Sequence, residues 1–60
     1  MKAVIEIEMD NAAFEDSPAS ELARILRAIA AKVANGETEI VARDINGNSV
    51  GSLEITMGEE

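Results

Sequence analysis

Carboxylates are almost the only groups in this 60-residue chain whose types and spacing suggest chemistry. Histidine and cysteine are both absent. That removes the commonest general base, the commonest metal ligand and any thiolate site or disulfide staple. Asp44-Ile45-Asn46-Gly47-Asn48 opens like a calcium loop, with oxygen-bearing side chains at alternate positions. The bidentate glutamate of such a loop would fall at Ile55, which has no carboxylate, so the segment reads as a hairpin turn. Glu6, Glu8 and Glu54 would offer hard oxygen ligands to Mg²⁺ or Ca²⁺ if their strands adjoined. An open sheet face gives them no cleft and no nucleophile. The glycines at 36, 47, 51 and 58 form no phosphate-cradling loop. The expectation is a protein that is not an enzyme and that uses no metal or cofactor.

The elements that position these carboxylates follow from periodicity. Ala3, Ile5, Ile7 and Met9 alternate with Lys2, Val4, Glu6 and Glu8, which predicts a half-buried strand over 2–9. Residues 10–16 break the alternation and read as a loop, where Phe14, the only aromatic residue, is placed to cover the end of the core. Ser17-Pro18 starts a helix, with Ser17 able to accept from a free helix N–H and Pro18 lacking one. Leu22, Ile25, Leu26, Ile29 and Val33 recur at spacings of three and four, and Asn35-Gly36 supplies the stop. The helix is expected over 18–35. Strands are expected over 37–45 and 49–57, joined by Asn46-Gly47 as a type I′ turn, with 58–60 as a frayed acidic tail.

The order β-α-β-β predicts a single α+β domain over 1–60. A crossover helix makes the first two strands parallel, and the last strand inserts between them. The result is a three-stranded mixed sheet of order 1-3-2 with the helix on one face. Ala3, Ile5, Ile7, Ile40, Ala42, Leu53 and Ile55 are expected to meet the apolar helix stripe. The opposite face then shows Val4, Glu6, Glu8, Val41, Arg43, Val50, Ser52, Glu54 and Thr56. Its valines Val4, Val41 and Val50 suit either a solvated strand or self-association as a homodimer, with Arg43 pairing to Glu6, Glu8 or Glu54. A chain this short buries only about 60% of its unfolded surface, and that favours added burial between subunits. The helix flank Ala19, Ala23, Ala30 and Ala34 is a second place where another backbone fits closely.

Twelve acidic against five basic residues give a net charge of −7. This field disfavours nucleic acid and anionic lipid and favours a basic protein surface, though solubility accounts for it equally well. Arg24, Arg27 and Lys32 are too few, without aromatic neighbours, for a nucleic-acid patch. Apolar runs reach only four residues, as in Ala28–Ala31, which is too short to cross a membrane. Acidic residues come too early for a secretory leader. A reducing cytoplasm is the expected setting.

Three stretches resemble small acidic proteins encoded by bacteriophages and prophages. They are Met1-Lys2-Ala3-Val4-Ile5-Glu6-Ile7-Glu8-Met9-Asp10-Asn11-Ala12-Ala13-Phe14, Glu21-Leu22-Ala23-Arg24-Ile25-Leu26-Arg27 and Arg43-Asp44-Ile45-Asn46-Gly47-Asn48-Ser49-Val50-Gly51. The resemblance implies a viral accessory protein in a bacterial cytoplasm. Such proteins often occupy a host protein, anti-CRISPR proteins among them. The function this implies is stoichiometric occlusion of a host protein, one that binds nucleic acid through a basic surface. Glu6, Glu8, Asp44 and Glu54 would make the contact, with Arg43 orienting them. The alternative is a small structural homo-oligomer or assembly subunit.

Overall fold

The structure, a computed structural model, describes residues 1–57. The expected tail at 58–60 lies outside the described residues. In chain order come β1 (Lys2–Ile7), a 3-10 turn (Ala12–Phe14), α1 (Pro18–Ala34), β2 (Glu39–Arg43) and β3 (Ser49–Thr56). β3 lies between the other two strands and is antiparallel to both, so the sheet order is 1-3-2. β1 and β2 share a direction but are never neighbours, so every ladder in the sheet is antiparallel. No helix among the described residues is long and apolar enough to cross a membrane.

Local chemistry sets the ends of α1. Pro18 occupies the first turn, and the backbone carbonyl of Ser17 accepts from Glu21 N–H at 3.1 Å. The Ser17 hydroxyl makes no capping bond, contrary to the sequence expectation. At the other end Gly36 takes φ +95°, the left-handed conformation that a helix stop demands.

The β2–β3 connection differs from the expected type I′ turn. Only Gly47, at φ +86°, has positive φ there; Asn46 does not. Asp44 N–H donates to Asn48 O at 2.9 Å and Gly47 N–H to Asp44 O at 2.9 Å. These bonds define a three-residue loop, Ile45 to Gly47, with glycine in its left-handed position. The Asp44 carboxylate drives this choice by accepting from Asn46 and Asn48 N–H at 2.9 and 2.8 Å.

Just beyond the loop a bulge shifts the register. Arg43 stands opposite Ser49 but Ala42 opposite Gly51, leaving Val50 as the extra residue. Val50 therefore turns inward and joins Phe14, Ile25, Ile29, Ile40, Ala42 and Leu53 in the core. Strict alternation places it outward, and the bulge is what breaks that alternation.

The helix packs mainly over β2, leaving β1 less covered than the alternation suggests. Ile7 and Met9 are partly buried against the core, but Ala3 is exposed and Ile5 is 45% exposed. Glu21, Ile25 and Ile29 are the buried positions of α1, whereas Leu26 is 38% exposed. At 100° per residue the buried direction is turned roughly 50° from the centre of the apolar stripe. A glutamate has taken a place that helical periodicity reserves for an apolar side chain.

Candidate functional site

The sheet face opposite α1 is covered by no other described element. Register places Val4, Glu54 and Glu39 in one row across the three strands, and Glu6, Ser52 and Val41 in the next. Glu8 extends the β1 ladder by donating its N–H to Val50 O at 2.8 Å. Glu6, Glu8, Glu39 and Glu54 are all exposed. Lys2 and Arg43 stand at opposite corners of the same face.

Glu39 and Glu54 are directly opposite each other. Ile55 N–H donates to Thr38 O at 2.9 Å, so the neighbouring Glu39–Glu54 pair is one without backbone bonds between its members. Side chains approach most closely at such pairs, and like charges there are destabilising. Among the described residues the only ion pair is Arg24–Glu21, at 3.0 Å, well away from this face. Glu39 is absent from the sequence expectation, although it shares the parity of Val41 and was legible from it.

Other expected site residues are placed differently. Arg43 does not orient the glutamates: its Nη1 donates to Gly47 O at 3.2 Å, and β3 separates it from Glu6 and Glu8. Asp44 is 4% exposed, so it is not a surface contact. Val50 is in the core, and it cannot join Val4 and Val41 in an outward patch. Those two, 44% and 49% exposed, sit on different outer strands with Ser52 and Glu54 between them. Among the described residues no group of three or more acidic side chains is placed to hold an ion in common. Of the helix cations, Arg24 is engaged with Glu21 and Arg43 O, while Arg27 and Lys32 are exposed.

Asp44 and Glu21 instead form a polar hub that ties three segments together. Asp44 accepts from Asn46 and Asn48 N–H, from Asn48 Nδ2 at 3.2 Å and from Asn11 Nδ2 at 2.8 Å. Asn11 in turn caps the 3-10 turn by accepting from Ala13 N–H at 3.0 Å. Glu21 receives two bonds from Arg24, each 3.0 Å, and one from Ile45 N–H at 2.8 Å. Arg24 also donates to Arg43 O at 3.1 Å. The Glu21–Arg24 spacing is legible in the sequence, but its attachment to the β2–β3 loop is not.

Burial alone would raise the Asp44 pKa, but the four hydrogen bonds from Asn48, Asn11 and Asn46 outweigh it and hold the group below its ordinary 3.8. The Arg24 hydrogen bond lowers Glu21 below its ordinary 4.5, against burial and with help from Ile45 N–H. Both folded pKa values lie below the unfolded ones. Their stabilisation is therefore complete above the ordinary values and is lost as pH falls through the folded ones. Asp44→Ala should lower Tm on the order of 10 °C at pH 7. It should also flatten the loss of Tm below about pH 3.8, as read by thermal melts across pH. An acid limb as steep as that of the unsubstituted chain would show that the hub does not govern it.

Comparison with protein-family models, with curated proteins and with solved structures gives no match to this chain.

Proposed function

We propose that this chain is a non-catalytic protein-binding module that works in the bacterial cytoplasm as a phage-encoded inhibitor. It occupies a basic surface of a host protein by stoichiometric occlusion, and an anti-CRISPR is the sharpest form of this reading. The observation that supports it most is the Glu39–Glu54 pair, with Glu6 diagonal to Glu54 on the same uncovered face. Carboxylates held side by side without a cation raise the free energy of the free chain. Lysine or arginine side chains of a partner relieve that repulsion on docking. The cost borne by the free chain thus becomes part of the driving force for binding. Solubility requires acidic residues, but it does not require two of them directly opposite.

The test compares the full chain with a variant carrying Glu6→Gln, Glu8→Gln, Glu39→Gln and Glu54→Gln. Each is used as bait for nucleic-acid-binding complexes purified from a bacterial host. The unsubstituted chain is expected to associate with a basic complex about tenfold or more faster than the variant. That rate should fall as ionic strength rises, since exposed charges are screened over about 10 Å at 0.1 M salt. Glu39→Lys alone should raise Tm by a few degrees while weakening the complex. Binding that ignores both salt and the four substitutions would overturn the proposal.

A further inference from the structure

The two edges of the sheet are treated differently by the rest of the chain. β2 is short, its ladder is interrupted by the bulge at Val50 of β3, and α1 packs against it, with Arg24 donating to the outward carbonyl of Arg43. These are the devices by which proteins blunt an edge strand. β1 has none of them. It runs six residues in unbroken register with β3, contains no proline, and has no strand beyond it among the described residues.

The direction of its backbone groups follows from two bonds. Glu8 N–H points at β3, donating to Val50 O, and Lys2 O accepts from Thr56 Oγ1 at 3.4 Å. By alternation Lys2, Val4, Glu6 and Glu8 face β3, while the N–H and C=O groups of Ala3, Ile5 and Ile7 point outward, unpaired. The side chains along this strand are also uncovered: Val4 is 44% and Ile5 45% exposed.

We propose that this edge pairs with β1 of a second copy of the chain, antiparallel, with Val4 on the two-fold axis. The outward groups restrict the choice of register, because only odd-numbered residues can exchange bonds across the new ladder. With Val4 facing the partner's Val4, Ala3 and Ile5 exchange both N–H···O bonds with the partner's Ile5 and Ala3. On the sheet face that carries the glutamates, Lys2 then falls opposite the partner's Glu6, and Glu6 opposite the partner's Lys2. On the other face Ala3 packs on the partner's Ile5. Every charge on the paired segment meets its opposite, although the chain as a whole carries −7. Self-complementarity of this kind is what a two-fold interface requires. The product is a continuous six-stranded sheet with both helices on one side and both acidic faces on the other.

Sedimentation equilibrium of the full chain in about 0.15 M salt, where long-range repulsion is screened, reads the mass directly. The expected result is a species of twice the 6.4 kDa chain. Lys2→Glu or Glu6→Lys alone places like charges at both symmetric contacts and should weaken the dimer about tenfold or more. The double variant Lys2→Glu/Glu6→Lys should restore it. Ile5→Pro should abolish it, because the outward N–H of Ile5 serves no bond within one chain. Circular dichroism reports whether each variant folds. Val41→Glu, on the far strand, should leave the dimer unchanged. The proposal is overturned by a monomer at all concentrations, by failure of the double swap to rescue, or by rescue with Glu8→Lys in place of Glu6→Lys. Loss of the dimer in Val41→Glu would overturn it as well. No host partner enters the measurement, so its outcome is separate from that of the docking proposal above.

Discussion

Gly51→Ala should abolish cooperative unfolding, or lower Tm by more than about 15 °C. Gly51 lies in the central strand, facing Ile7 on one side and Ala42 on the other, next to the bulge. A Cβ there would be 2.8 Å from the Ile7 Cα and 2.9 Å from the Glu6 carbonyl carbon, and would overlap the Glu6 carbonyl oxygen. These are backbone atoms, so no side-chain rotation relieves the contact. β1 must move away, and it has little to hold it apart from its ladder to β3, because only Ile7 and Met9 pack on the core from that end. Without β1 the sheet is reduced to a two-stranded hairpin, which is marginal in water unless it packs on another element. A urea or thermal transition within a few degrees of the unsubstituted chain would show that β1 does not approach β3 as closely as described.

Ile25→Ala should cost about 2–5 kcal/mol. Ile25 is 1% exposed and is the largest fully buried side chain among the described residues. A chain of this length has a total stability of about 3–9 kcal/mol, so the variant should be substantially unfolded at 37 °C. Its neighbour makes the sharper comparison. Leu26, 38% exposed, should cost about 1 kcal/mol or less on truncation to alanine, as partly exposed positions do. Urea titration of the two variants measures the difference. Equal losses would mean that α1 is not rotated onto Ile25 and Glu21.

The Ile25–Leu26 contrast also marks where sequence reading stops. Helical spacing places both residues in one apolar stripe and cannot rank them. Their ranking depends on how far α1 leans over β2, which is set by Glu21 reaching the loop and Arg24 reaching Arg43 O. The same limit applies to the strands. Alternation identifies Leu53, Ile40 and Ala42 as inward residues, and they are buried. It misplaces Val50 because Val50 is an extra residue in β3, between Ser49 opposite Arg43 and Gly51 opposite Ala42, and so changes the parity. On the candidate docking face, Glu6, Glu8 and Glu54 are where alternation puts them. Asp44, expected as a surface carboxylate, is buried instead, because a loop aspartate surrounded by N–H donors turns inward to accept from them.

The amino-acid order by itself determined the four main elements, their sequence along the chain, the strand order 1-3-2 and the absence of imidazole and thiol chemistry. Those are local properties: period-two and helical spacing, a proline at a helix start and a glycine at its stop. Only the tertiary structure decided that Asp44 is buried, that Glu39 faces Glu54, and that β1 keeps a bare edge while β2 does not. Each of these depends on register and on the tilt of the helix, quantities fixed by contacts between residues far apart in the chain.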